Sequence, residues 1–215
     1  MRVNSLFRRL REISVVGFPT FFIDVAMGIL TVLFNRQIMR YLGADALAVY
    51  GLIINVSTFV QCCAYSMGQA SQPIISTNFG AKKYGKNSET LRFAVLTAAF
   101  FGIFWTVFSL VFPNLYIRIF MTPTQRILEI APAIIRTYAL SFLILPFNIF
   151  STYYFQSIMK PKAAFVVSVS RGLFISGILI FILPLLFWFS LPVTEVLVMI
   201  YAVARIKKYT ASLAE

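Results

Sequence analysis

The chain has 215 residues, of which 60% are hydrophobic, 16% aromatic and only 12% charged, with a mean hydropathy of +0.84. A soluble core of this size cannot hide several apolar runs that each approach the ~20 residues needed to cross a bilayer, which makes this an all-α integral membrane protein. The net charge of +12 then reports membrane orientation if it is confined to alternate loops, and a nucleic-acid partner becomes unnecessary.

There is no histidine, and the two cysteines, Cys62 and Cys63, are adjacent within an apolar run. Zinc, haem and iron–sulfur sites therefore lack a ligand set, no cofactor is expected, and the thiols are expected to be buried and inert. An intramembrane enzyme also lacks a reactive constellation, because Asp24 and Asp45 fall at different depths.

Residues 1–12 form a basic segment with Arg2, Arg8, Arg9 and Arg11. The apolar run after it contains Asp24, is too long for the core of a signal peptide and has no small-residue cleavage site. It is the first of six predicted spans, at about 13–34. Gly17, Thr20, Asp24, Gly28 and Thr31 recur at three- or four-residue spacing and form one small and polar stripe. Phe18, Phe22, Ile29 and Val32 occupy the other faces and suit lipid. Asp24 lies at the centre of the span and is the candidate coupling residue. An ionised carboxylate is costly there, so a proton and a cation compete for it.

The second span, about 46–77, would be ~48 Å long as one helix, beyond the ~30 Å hydrocarbon core, so it must tilt, kink or protrude. Ala64, Gly68 and Ser71 make a close-packing face, Asn55, Gln69 and Gln72 offer hydrogen-bonding groups, and Pro73 should bend the helix. A basic loop, Ala81–Arg92, leads to a third span at about 93–112, where Ala94, Ala98, Gly102 and Thr106 form a four-residue packing ladder.

Residues 113–130 read as an interfacial loop with a short amphipathic helix. In the fourth span, about 131–157, Asn148, Thr152 and Gln156 share a face and Pro146 predicts a kink. The fifth, about 163–187, carries a Ser168, Gly172, Ser176 seam. Beside the seam lies Arg171, deep enough that it should donate to carbonyls or to an acid inside the bundle. Arg136, nearer a helix end, should anchor by snorkelling. The sixth span, about 193–205, precedes a tail at 207–215.

Of the nineteen Lys and Arg residues, thirteen fall in the N-terminus, the second-to-third loop, the fourth-to-fifth loop and the C-terminus, against four in the opposite loops. That bias places both termini in the cytoplasm.

Several motifs recur in the order found in one transporter family. Gly17-Phe18-Pro19 is followed by Ala48-Val49-Tyr50-Gly51, Gly68-Gln69-Ala70, Gln72-Pro73 and Asn78-Phe79-Gly80-Ala81. Further on stand Tyr154-Phe155-Gln156, Lys160-Pro161-Lys162 and Ser170-Arg171, with Met159 where the family pattern has glycine. The chain resembles the C-terminal six-helix lobe of a multidrug and toxic compound extrusion (MATE) transporter. The resemblance implies a proton- or sodium-coupled antiporter of organic cations in the cell membrane. It also implies a facing six-helix lobe, on the same chain or on a partner, that completes the cleft. Thr20, Gly28, Thr31, Asn55, Gln69, Gln72, Asn148, Thr152, Gln156 and Arg171 are the candidate cleft-lining residues. A lipid-linked saccharide flippase of related architecture and a non-transporting fragment are the rival readings.

Overall fold

The structure, a computed structural model, describes Val25, Gly28, Ile29 and residues 31–182 and 188–211. Thr20 and Asp24 lie outside the described residues. The described chain is helical, with α1 (31–41), α2 (Gly43–Gly80), α3 (Tyr84–Val111), α4 (Pro113–Phe120), α5 (Gln125–Ala139), α6 (Leu145–Ser157), α7 (Pro161–Val169), α8 (Ile175–Ile182) and α9 (Ser190–Ala211). Among the described residues, four stretches, Gly43–Gly80, Tyr84–Val111, Gln125–Ser157 and Pro161–Leu179, are long and apolar enough to cross a bilayer.

The 38-residue α2 is the central post, packing on both α3 and α6. It continues without interruption through Pro73, where the Ser76 hydroxyl donates to the Pro73 carbonyl at 3.1 Å. The expected basic loop Ala81–Arg92 shrinks to residues 81–83, and the third span starts at Tyr84 rather than Phe93. A tight helix cap makes this possible. Lys83 N–H donates to the Asn78 carbonyl at 2.8 Å and Lys82 N–H to Phe79 at 3.0 Å, with Lys82 in the left-handed region at φ 55°. The turn α6–α7 repeats the device. Lys160 N–H donates to Phe155 at 2.8 Å and Met159 N–H to Gln156 at 3.1 Å, with Met159 at φ 57° and Pro161 opening α7.

The fourth span is two helices. It starts six residues earlier than expected, at Gln125, and is broken by a tight 3₁₀ turn over Leu140–Leu143. Pro146 sits in the first turn of α6, where its missing N–H costs no helical bond. A break inside a membrane survives only if the freed carbonyls find partners. Here the Thr106 hydroxyl of α3 donates to the Ala139 carbonyl at 3.2 Å, and Ser141 donates to Tyr138 at 2.7 Å. Gly102 lets α3 pass against the break, since a Cβ there would run into the Leu143 carbonyl. The ladder Ala94, Ala98, Gly102, Thr106 is wholly buried, so the predicted packing seam is where α3 meets the fourth span.

The fifth span is interrupted as well, by a π-helical turn at Ser170–Phe174. The sixth helix is longer than expected, Ser190–Ala211 rather than about 193–205. Among the described residues three apolar clusters result, the smallest being Phe34 and Ile38 of α1 with Ala46 and Tyr50 of α2. Val49, Val56 and Val60 of α2 pack with Ile117, Ala131, Ile135 and Phe142, and Ile75, Phe150, Phe155, Val167 and Val198 join the other ends of the spans.

The cysteines depart from expectation. Cys62 is exposed and Cys63 half-buried, and both line an apolar groove of about 630 Å³ between α2 and α3, with Met67, Ile74, Phe93 and Phe101. Sequence hydropathy sets their depth in the membrane; which face they occupy follows from α2 turning its opposite side to α6.

Candidate functional site

Arg171, Glu195 and Asn148 meet inside the bundle. Arg171 Nε donates to Glu195 Oε1 at 2.8 Å. Asn148 Nδ2 donates to Glu195 Oε2 at 2.6 Å and to the Glu195 backbone carbonyl at 2.9 Å. The Glu195 side chain is 2% exposed and that of Arg171 19%. Three helical segments supply the three groups: α6 gives Asn148, the π-helical turn Arg171, and α9 Glu195.

Helix geometry places this cluster near mid-membrane. Arg171 lies ten residues past Pro161 and Asn148 nine before Ser157. At ~1.5 Å per residue both are about 15 Å from the α6–α7 turn, half the ~30 Å hydrocarbon thickness. At that depth an unpaired charge is expensive, so the acid and the guanidinium must neutralise each other. The π turn inserts one extra residue into the helix and rotates Arg171 towards α9; such bulges recur at functional positions.

Tyr65 of α2 also interacts with Arg171, and Tyr138 of α5 feels the charges of both Arg171 and Glu195. Tyr65 is 39% exposed and packs edge-on against Tyr153. It links the buried pair to the outer face of α2. Gly68, one turn on, is the position where Tyr153 presses on α2, since a Cβ there would overlap its ring.

Of the sequence candidates, Asn148 and Arg171 are thus in one cluster, and Thr152 is next to it, 3.5 Å from the Ser168 hydroxyl. Gly28, Thr31, Asn55, Gln69 and Gln156 are on the outside of this half, and Gln72 is half-buried. Arg136 donates to the Leu110 carbonyl at the end of α3 at 3.1 Å while remaining exposed, as suits an anchor. Glu195 is absent from the sequence candidates. In a sixth span at about 193–205, Glu195 falls in the first turn, whereas the helix begins at Ser190. The available signal was Arg171, which requires an acid at its own depth, together with the apolar run Val196–Ala202 that follows Glu195.

The outer faces of two neighbouring spans contrast. On α3 the exposed residues between Phe93 and Val111 are Phe93, Leu96, Phe100, Ile103, Phe104, Val107 and Val111 with Ala99 and a single hydroxyl, Thr97, whose side chain donates back to the Phe93 carbonyl, a face suited to lipid. On α2, Gly51, Asn55, Thr58, Cys62, Ser66 and Gln69 are exposed at three- or four-residue spacing, flanked by Ile54, Phe59, Tyr65 and Ile74. A small and polar row of this kind suits contact with protein or water.

The MatE family model matches residues 18–183. The chain belongs to the MATE transporter family. MATE relatives include "Multidrug export protein MepA" of Staphylococcus haemolyticus, 26% identical over 83% of this chain and 38% of that protein, and MepA of Staphylococcus aureus strain NCTC 8325, 26% identical over 83% and 39%. Among solved structures, an inward-facing multidrug resistance MATE transporter superposes with a TM-score of 0.85 at 17% identity, covering 95% of this chain and 49% of that one. An outward-facing MATE transporter gives 0.83 at 16% identity, covering 95% and 47%. The chain therefore has the fold of about half a MATE transporter and spans less than half the length of these curated relatives.

Proposed function

We propose that this chain is the C-terminal six-helix half of a cation-coupled antiporter that exports organic cations across the cell membrane, with both termini in the cytoplasm. A second six-helix lobe, on the same polypeptide or a partner, encloses the pathway. The observation that carries this reading is the small and polar outer row on α2 beside the apolar outer face of α3: one side of the half is suited to lipid and the other to a facing lobe and water. The multidrug export named for MepA supports the substrate class and disfavours a saccharide flippase. The protein transports rather than catalyses, and its coupling ion is a proton or sodium, with Asp24 the coupling candidate on the first span.

Drug accumulation tests it. Cells expressing a two-lobe version should hold less of a fluorescent organic cation than controls, and cells with these 215 residues alone should not. Asp24→Asn in the two-lobe version should abolish gradient-driven efflux at unchanged membrane insertion. Full efflux by that variant would remove Asp24 from the coupling role, and absence of efflux from every two-lobe version would remove the exporter reading.

A further inference from the structure

The groove between α2 and α3 has no part in the Arg171 cluster. Its volume of about 630 Å³ is within the ~300–1,000 Å³ usual for ligand sites. Small residues make room for it: Ser71 of α2 and Ala94 of α3 are buried in its lining, with Ala70 exposed beside them. Ile74 and Phe93, each more than half exposed, stand at its edges.

Four hydroxyls line the groove, and each is bonded within its own helix. Ser66 donates to the Cys62 carbonyl at 2.9 Å, Ser71 to Gly68 at 3.0 Å, Thr90 to Lys86 at 2.9 Å and Thr97 to Phe93 at 2.9 Å. No charged side chain is in the lining. With the hydroxyls folded back, the groove offers water no free hydroxyl donor and suits an aliphatic chain.

Its length and position match one leaflet. At 1.5 Å per residue, α2 rises ~18 Å from Cys62 to Ile74 and α3 ~17 Å from Thr90 to Phe101, close to half of the ~30 Å hydrocarbon core. Thr90 closes one end, a single turn of α3 from Lys86. Beyond it, at the turn between the helices, Lys82, Lys83 and Lys86 are exposed, with Glu89 the one acid between Gly80 and Arg92. Cations are therefore in excess at the interfacial end of an apolar slot.

We infer that this groove binds one acyl chain of an anionic phospholipid, whose phosphate is held by Lys82, Lys83 and Lys86. The long lysine stems lie along apolar surface and leave the ammonium groups at the depth of the lipid head groups. The lipid comes from the leaflet on the side of the α2–α3 turn. In the orientation proposed above, on which this assignment rests, that is the cytoplasmic leaflet, the one that carries anionic lipid. The bound chain fills the seam where the apolar face of α3 meets the small and polar row of α2.

Photo-cross-linking of the 215-residue chain in phosphatidylcholine nanodiscs tests the site. The discs carry a trace of phosphatidylglycerol or of phosphatidylcholine, each with the same diazirine-tagged acyl chain. Adducts mapped by peptide mass spectrometry should concentrate on residues 62–74 and 90–101. The phosphatidylglycerol probe should give at least about fivefold more of them, the ratio expected from one lysine–anion contact near a membrane surface. Replacing Lys82, Lys83 and Lys86 by Gln should bring the two probes level without removing the adducts. Ala70→Phe, at an exposed position, puts a ring into the groove and should remove the adducts with both probes. Where Ala70→Phe inserts poorly, Ser66→Phe, one turn earlier, makes the same test. Equal yields of the two probes in the parent chain, or adducts that survive filling of the groove, would overturn the proposal. So would loss of the groove adducts in a two-lobe version, because the facing lobe would then be the occupant. Efflux plays no part in the measurement, so failure here leaves the exporter reading standing, and failure of export leaves the lipid site standing.

Discussion

Arg171 Nε lies 2.8 Å from Glu195 Oε1, joining the fifth and sixth spans in the middle of the bundle, and Asn148 ties the fourth span to the same carboxylate. Two charges removed from water recover their desolvation cost only while both are present. Arg171→Met and Glu195→Leu should each therefore destabilise the folded chain by about 3–5 kcal/mol, whereas the double variant should lose much less. A double-mutant cycle on denaturant unfolding in detergent measures this. Additive losses would show that the pair contributes no coupling.

Helix breaks leave a second signature. Gly102→Ala places a methyl group against the Leu143 backbone carbonyl, which cannot move aside without disturbing the turn between α5 and α6. The expected cost is about 1–3 kcal/mol. Gly68→Ala meets the Tyr153 ring instead, and Tyr153→Ala in the same chain should relieve it. Failure of that rescue would mean that the strain at Gly68 has another source.

At the α6–α7 turn, Met159 takes the left-handed conformation at φ 57° with its side chain 76% exposed. A side chain is strained there and glycine is not. Met159→Gly should raise stability by about 1 kcal/mol, with Lys82→Gly acting similarly at the α2–α3 turn, where φ is 55°. Thermal unfolding of the two single variants and the combination reads the effect, and a lower midpoint in Met159→Gly would contradict it.

Orientation is accessible to reporter fusions. A reporter placed after Lys83, in the short turn between α2 and α3, should report the cytoplasm, and one placed after Arg40 the opposite side. The reverse pattern would invert the topology.

Asn148 and Thr152 show how far a helical face can be read in advance. Their four-residue spacing put them on one side of the fourth span, and the structure has them on the side that meets the fifth and sixth helices. Asn55 and Gln69, fourteen residues or about four helical turns apart, also share a face, and they lie on the outside of α2. Periodicity groups residues on a face without saying which neighbour that face meets.

What the sequence determined by itself was the membrane class, the order of the spans, the packing ladder on α3 and the family resemblance, because hydropathy, small-residue spacing and short motifs are all local along the chain. Tertiary structure decided the rest. The pairing of Arg171 with Glu195, 24 residues apart, and of Asn148 with Glu195, 47 apart, depends on how α6, the π turn and α9 are rotated about their axes. The break at Leu140–Leu143 is held open by Thr106 and Gly102 of another helix. A buried charge is tolerated only where a distant partner arrives at the same depth, and that coincidence exists only after the helices have packed.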